Sequence, residues 1–579
     1  MNYGESRTVT LSTANKIGLM LFDGVMGQRA SIKVTSSTIT NGALRIYSPN
    51  GTEIASVGFN TGGGYLESPI LSITGTYTIL IDPNGTNTGN VTFTLYNATD
   101  AFGTITINGA SVAMNMTVPG QNAQVTISGT AGQRVSVGMS SVTIGSSSCC
   151  SAYLSIRNPD GSNLLAPMDF GTGGGGSPTV LLPVSGTYTI LVDPKTTSIG
   201  SATLTLSEEI AGTIQMNGAS VPLGFTRVGQ NAQITFNASA GQRVSLGMSA
   251  VTIGPSSCCS TYVSIKNPDG TTLLAPMDVG TSGGGSNTVA LPVTGTYAIA
   301  VDPRGASTGN LTLTLTEELT ATITIGGPSV TISLTRPGQI AAVSFDGTTG
   351  QRVSLGLSNV TIGPSSCCST YVWINKPDGT TLLPTQDFGT SGAGTNSVIL
   401  PVTGTQKIFI DPKAASTGDV TLTLSEDLAP PISINGPTVA MDFRAGQNAR
   451  LTFDGTAGQR VSLGMSGMTL GVGYCCDVGS VTIYKPDGTV LLSPYGFPNG
   501  GAGTPSATLP VTGTYSIVVD PYVARSGNLT LTLSEDLAPP ISINSPPVIM
   551  NFSRVGQNAR LTFEGTAGQR VSLGMSDMT

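Results

Sequence analysis

The stretch Gly132-Gln133-Arg134-Val135-Ser136-Val137-Gly138-Met139-Ser140 decides the reading of this chain. Val135, Val137 and Met139 alternate with small or polar residues, and a period of two with one apolar face predicts a half-buried β-strand. Its Gly-Gln-Arg opening returns along the chain, with arginines at Arg29, Arg134, Arg243, Arg352, Arg460 and Arg570, spaced 105, 109, 109, 108 and 110 residues apart. A period of roughly 100 residues is enough for a whole folded module and too long for a solenoid repeat of about 20 to 50. The sequence therefore reads as a tandem array of copied units.

Working outward within one copy, Gln124-Val125-Thr126-Ile127 precedes the stretch, and Tyr153-Leu154-Ser155-Ile156 follows it into the turn Asn158-Pro159-Asp160-Gly161. In such a turn Pro presets one dihedral and Gly accepts a positive one. Val180-Leu181-Leu182, Gly186-Thr187-Tyr188-Thr189-Ile190-Leu191-Val192-Asp193-Pro194 and Ala202-Thr203-Leu204-Thr205-Leu206 complete the copy. Seven or eight short strands in this length predict an all-β fold, a tandem array of antiparallel β-sandwich modules of jelly-roll or Ig-like type. The modules fall at 1–101, atypical and without cysteines, then 102–210, 211–318, 319–428 and 429–536, with an incomplete sixth at 537–579. The glycine run Gly171–Gly176 lacks the following helix and lysine of a phosphate loop and reads as a sandwich loop.

Composition narrows the function. Of 579 residues 10% are charged and 39% hydrophobic, the net charge is −7, and no Lys/Arg cluster exists to recruit nucleic-acid phosphates. No apolar run reaches the ~18 residues of a membrane helix, and the first residues lack the pattern of a secretory signal. Histidine is absent altogether, which removes the usual general base and the commonest metal ligand. No catalytic residue and no cofactor is expected. Calcium, held by turn carboxylates such as Asp160 and Asp169, is the one ion the composition leaves open.

Cysteine occurs only as adjacent pairs, Cys149-Cys150, Cys258-Cys259, Cys367-Cys368 and Cys475-Cys476, each 15 residues after its arginine. Three readings remain: a vicinal disulfide that stiffens a loop tip, bonds outward to another chain, or half of a metal site. The arginines and the Asp-Pro aspartates also recur together. Arg29 with Asp82, Arg134 with Asp193, Arg243 with Asp302, Arg352 with Asp411 and Arg460 with Asp520 are candidate structural charge pairs, the alternative being that each Asp braces its own turn. Tyr77, Tyr188, Tyr297 and Tyr515 fit tyrosine corners, with Gln406 in the fourth copy. Trp373, the lone tryptophan, falls on an outward position and reads as an interface anchor.

Taken together, Gly-Gln-Asn-Ala, Gly-Thr-Ala-Gly-Gln-Arg-Val-Ser, Pro-Asp-Gly and Pro-Val-Thr-Gly-Thr-Tyr resemble the β-sandwich repeats found ahead of the YD-repeat region in large bacterial Rhs-like surface proteins. They are more distantly similar to bacterial pre-peptidase C-terminal domains. The resemblance implies secretion and a stalk or accessory role, with no catalytic residue to carry over. The expectation is a non-catalytic extracellular structural protein, a rod-like stalk or filament subunit of a bacterial cell surface, which self-associates and engages surface or matrix components without entering a membrane. A multivalent adhesin or carbohydrate-binding array, or the leading region of a larger secreted toxin or enzyme, are the alternatives.

Overall fold

The computed structural model describes residues 1–471 and 478–578, which form strands, turns and connections and, among the described residues, no helix. The chain divides into two compact units. One comprises 1–242, 248–283 and 289–313, and the other 243–247, 284–288 and 314–579.

The second repeat, in the first unit, shows the pattern. Its strands are β1 (Ala101–Thr104), β2 (Val112–Met116), β3 (Ala123–Gly129), β4 (Arg134–Ser140), β5 (Ala152–Arg157), β6 (Asn163–Phe170), β7 (Gly175–Gly176), β8 (Val180–Leu181), β9 (Gly186–Pro194) and β10 (Gly200–Glu208). One sheet runs β2-β10-β4-β7, with β8 also on β4, and the other runs β6-β5-β9-β3-β1. Val135, Val137 and Met139 of the first sheet meet Val125, Leu154, Ile156 and Ile190 of the second in one dry core. The predicted alternation therefore sets which face of each strand is inside. Pro159 and Gly161 close the β5–β6 turn, and Gly161 takes the positive φ that the turn requires, +87°.

What the strand pattern does not announce is the contact between successive repeats. Gly138 lies in the middle of β4, where a glycine marks a close backbone approach. A methyl group there would stand 2.0 Å from the Val228 carbonyl oxygen, which belongs to the following repeat. The Ser136 hydroxyl donates to Gly229 O at 2.6 Å, and the Asn231 amide donates to Ser177 O at 3.1 Å. Arg227 reaches back to Gly109 O at 2.6 Å, Leu206 O at 3.2 Å and the Ser207 hydroxyl at 3.0 Å. The same seat recurs in the second unit, with Gly247 against Pro337-Gly338, Gly356 against Ala445-Gly446 and Gly464 against Val555-Gly556. In the first repeat Ser31 plays the part, its hydroxyl donating to Pro119 O at 2.5 Å.

These contacts overturn the expectation of tandem antiparallel β-sandwich modules of jelly-roll or Ig-like type. The all-β repeats follow one another in a β-solenoid-like arrangement, in which the loop of one repeat is built onto the sheet of the one before. Nor is the pairing purely antiparallel: β1 runs parallel to β3, and Ile210–Thr213 and Leu319–Thr322 run parallel to Ala232–Ala238 and Ala341–Gly347. The physical reason for the misreading is plain. Apolar alternation reports the faces turned to a core, whereas Gly138 and Ser136 use polar backbone and absent side chains to meet a neighbour.

Candidate functional site

The chemistry-bearing residues of repeats two to four gather around the start of β5. Cys149-Cys150, Cys258-Cys259 and Cys367-Cys368 each form a vicinal disulfide in an exposed turn. Cys475 and Cys476 lie outside the described residues. In the second repeat the Ser147 hydroxyl accepts the Cys150 N–H at 3.2 Å, while the next residue, Ser151, clamps two strands by its backbone. Its N–H donates to Phe170 O at 2.7 Å, and its carbonyl accepts the Lys195 N–H at 2.9 Å. Ser260 and Ser369 do the same in the third and fourth repeats. Each disulfide turn is thereby fixed to the strand that carries an aspartate and to the segment that carries a cation.

Those side chains meet on the outer face of the sheet. Tyr153 stands opposite Asp169 on one side and Asp193 on the other. The Lys195 ammonium lies 4.2 Å from the centre of the Tyr153 ring and pairs with Asp169. Arg304 lies 4.7 Å from the Tyr262 ring and 2.9 Å from Asp278. Lys413 lies 4.3 Å from the Tyr371 ring and pairs with Asp387. The hydrogen bond to the Asp169 carboxylate raises the Lys195 ammonium above its ordinary value, and that to Asp387 does the same for Lys413. Tyr153 and Tyr371 remain 39% and 37% exposed. The first repeat has Ala43, Gly58 and Asn84 at these places and no cysteine pair; the fifth has Ser480, Gly496 and Tyr522.

Among the described residues, no ion pair joins Arg29 to Asp82, Arg134 to Asp193, Arg243 to Asp302, Arg352 to Asp411 or Arg460 to Asp520. The arginines turn instead to the acidic residue that ends the repeat: Arg134 to Glu209 at 2.5 Å, Arg243 to Glu318 at 2.9 Å and Arg460 to Asp536 at 2.9 Å. Arg29 holds Asp100 at 3.0 Å and Glu67 at 2.5 Å. Arg352 adds its positive field to Asp427, which also accepts the Ser397 hydroxyl. The signal was present in Glu208-Glu209, Glu317-Glu318, Glu426-Asp427 and Glu535-Asp536, whose second acid falls 75 or 76 residues after its arginine.

The Asp-Pro aspartates have another environment. Burial pushes the half-buried Asp411 up to about 6, and burial together with the nearby Asp427 charge does the same to Asp520. Burial also raises Asp193, against the pull of Arg29 from the preceding repeat. The turn aspartates hold their own turns, Asp160 accepting the Ser162 N–H at 2.9 Å and its hydroxyl at 2.6 Å, which lowers its pKa. Among the described residues no group of three or more His, Cys, Asp or Glu could hold a metal ion.

The hydroxyls of Tyr77, Tyr188, Tyr297 and Tyr515 each donate to the carbonyl four residues back, at 2.6 to 2.7 Å. Gln406 substitutes a 3.4 Å bond to Val402 O and leaves its own buried oxygen unpartnered. Trp373 lies on the outer face, stacked on Phe409 with centroids 5.0 Å apart and planes 11° from parallel. It is two residues from Tyr371 on the same side of the strand. The recurrent tyrosine at the head of β5 escapes the sequence because Tyr153, Tyr262 and Tyr371 differ from core residues only in facing outward.

No family model matches this chain, and no curated protein does; neither the Rhs-like nor the pre-peptidase likeness is returned. Among solved structures, the chain is similar to PliG of Aeromonas hydrophila, a periplasmic inhibitor of g-type lysozyme, with 21% identity over 19% of this chain and 99% of that one, TM-score 0.14. The CUB1-EGF-CUB2 domains of rat MASP-1 align at 10% identity over 37% of this chain and 99% of that one, TM-score 0.13. Lac15 from a marine microbial metagenome aligns at 9% identity over 52% and 85%, TM-score 0.11. Likeness at these scores carries no argument about fold or function.

Proposed function

We propose that this chain is a non-catalytic, extracellular structural array of a bacterial cell surface, serving as a stalk or filament subunit that associates with further copies. The observation that supports this reading is the seat between repeats. Each glycine in the middle of a β4 counterpart receives the backbone of the following repeat, and Ser136 and Ser245 add hydrogen bonds of 2.6 and 2.7 Å. A connection of this kind resists bending far better than a flexible tether, which would have its backbone groups in water. The seat recurs at Gly138, Gly247, Gly356 and Gly464, so the investment in sequence is in continuity between repeats and not in one pocket.

Single-molecule extension of the full chain tests the idea. A structural array should unfold in successive, similar force events spaced by about one repeat, and native protein imaged by electron microscopy should show extended particles or fibres. Compact globular particles, or unfolding at forces too low to register, would reject the structural reading.

A further inference from the structure

We infer that repeats two, three and four each carry a binding site for a neutral saccharide unit, built from Tyr153, Tyr262 or Tyr371 with its cation, its aspartate and the adjoining vicinal-disulfide turn. This goes beyond the structural role and does not depend on it.

Three observations carry the assignment. The first is chemical. An aromatic ring offers an apolar surface on which the C–H face of a sugar packs, an aspartate accepts two hydroxyl protons, and an ammonium or guanidinium donates to a third oxygen. Asp169 with Lys195, Asp278 with Arg304 and Asp387 with Lys413 supply donors and acceptors within reach of one ring. Each cation is already paired with its carboxylate, and Asp193, Asp302 and Asp411 flank the same tyrosines from the other side, so no site carries an excess of positive charge. That favours a polar uncharged ligand over a phosphate or a uronate.

The second observation is an internal control. The first repeat builds two four-stranded sheets and a closed core with Ala43, Gly58 and Asn84 at these positions and without the cysteines. The fold therefore does not require the tyrosine, the ion pair or the disulfide, yet all of them occur together in the three repeats that follow. The fifth repeat keeps a cysteine pair, Cys475-Cys476, but has Ser480, Gly496 and Tyr522 at these positions, so it is the joint arrival of ring, carboxylate and cation that sets repeats two to four apart.

The third is repetition. Tyr153, Tyr262 and Tyr371 are spaced 109 residues apart, so the same small polar site is offered three times. A partner with a repeating chemistry, such as a polysaccharide, engages such a series with an avidity that one protein epitope would not supply. In the fourth repeat Trp373 stacked on Phe409 extends the aromatic surface beside Tyr371, making this the broadest of the three sites.

The test is binding of the full chain to an immobilised series of neutral gluco-, galacto- and manno-configured oligosaccharides, with uronate-containing oligosaccharides alongside. The triple variant Tyr153→Ala, Tyr262→Ala, Tyr371→Ala should lose about tenfold per site and considerably more on a densely coated surface. Its denaturation midpoint should stay near that of the parent, as Ala43 in the first repeat leads one to expect. A second variant, Asp169→Asn, Asp278→Asn, Asp387→Asn, keeps the rings and removes the charged acceptors, and should also weaken binding. Failure of the parent to bind any neutral oligosaccharide overturns the proposal, as does undiminished binding by the tyrosine variant. Binding confined to uronates would overturn the neutral ligand class.

Discussion

Gly138→Ala should unseat the joint between the second and third repeats. In an ordinary strand the exchange would stabilise by about 0.5–1 kcal/mol, because glycine loses more backbone entropy on folding. Here the new methyl would meet Val228 O at 2.0 Å and Val228 C at 2.4 Å, both backbone, so the loop must retreat from 2.0 Å to ordinary contact at 3.4 Å, by about 1.4 Å. The 2.6 Å bond from Ser136 to Gly229 O then opens to roughly 4 Å, beyond hydrogen-bonding range. Overpacking at about 1–3 kcal/mol and a buried hydroxyl left unpaired at about 1–3 kcal/mol, less the backbone gain of about 0.5–1 kcal/mol, give a net loss of about 1–5 kcal/mol. Hydrogen exchange read by mass spectrometry over 226–231 and 134–140 should show protection falling by about 5- to 4,000-fold. Gly284→Ala, which meets nothing within 4 Å, is the matched control and should be neutral or slightly stabilising. If Gly138→Ala behaved like Gly284→Ala, the close seat would be refuted, because the two effects differ in sign.

Three further outcomes follow from the same contacts. Gln406→Tyr should stabilise the fourth repeat by about 1–2 kcal/mol, since Phe345 occupies the place from which Phe236 stacks on Tyr297 at 5.4 Å, and a phenol would restore the bond to Val402 O; calorimetry showing no gain would contradict this. Asp520 is raised in the fold to about 6, so its neutral form is the favoured one: its contribution is complete below the ordinary value of 3.8 and is lost as pH rises through about 6. Asp520→Asn should therefore raise the unfolding free energy at pH 7.5 by about 1 kcal/mol once partial solvation is allowed for, and do nothing at pH 3.5; an equal effect at both would be wrong for a titrating group. Arg243→Met strands Glu318, whose side chain is only 4% exposed, and should cost about 2–3 kcal/mol, whereas Asp302→Asn should not destabilise; equal losses in a denaturation series would favour an Arg243–Asp302 pairing instead.

The sequence makes some layers of this molecule easy to read and hides others for physical reasons. Strand positions follow from the alternation of residues such as Val135, Val137 and Met139, because burial of one face is a local consequence of side-chain order. Turns at Asp160 and corners at Tyr188 are equally local, their hydrogen bonds spanning two and four residues. The partner of Arg134 is another matter. Asp193 and Glu209 are both carboxylates at repeat-periodic positions, and only the path of the chain after β10 decides that Glu209, and not Asp193, reaches the guanidinium. The Tyr153 site is obscured in the same way, since the ring, Asp169 and Lys195 come from three different segments and are joined through the backbone of Ser151. Periodicity alone could not distinguish units standing side by side from units that build on one another, because Gly138 reads as a small residue until its neighbour is in view.

Two nearly identical segments show how far strand formation depends on that neighbourhood. Residues 447–466 and 557–576 differ only in Asp454 against Glu564. In the first, Ala449–Gly455 and Arg460–Ser466 are strands, and Val461, Leu463 and Met465 are all fully buried. In the second, Ala559 makes a single bridge to Leu537, the rest is without strand, and Val571, Leu573 and Met575 are 50%, 79% and 70% exposed. Local propensity is the same in both, so it does not account for the difference. The first segment has Gly479–Tyr484, Gly513–Pro521 and Gly527–Glu535 to pair with and to cover its apolar face, and counterparts of those strands are not among the residues of this sequence. Each fully buried Val, Leu or Met contributes about 1.5–3 kcal/mol, and without a facing sheet that term vanishes while the cost of ordering the backbone remains. The seat at the joint survives nonetheless: Gly464 still receives Val555 and Gly556, and Arg554 still reaches Gly436 O at 2.5 Å and the Ser534 hydroxyl at 2.9 Å. Docking onto the preceding repeat is thus made by the loop, and not by the strands that follow it.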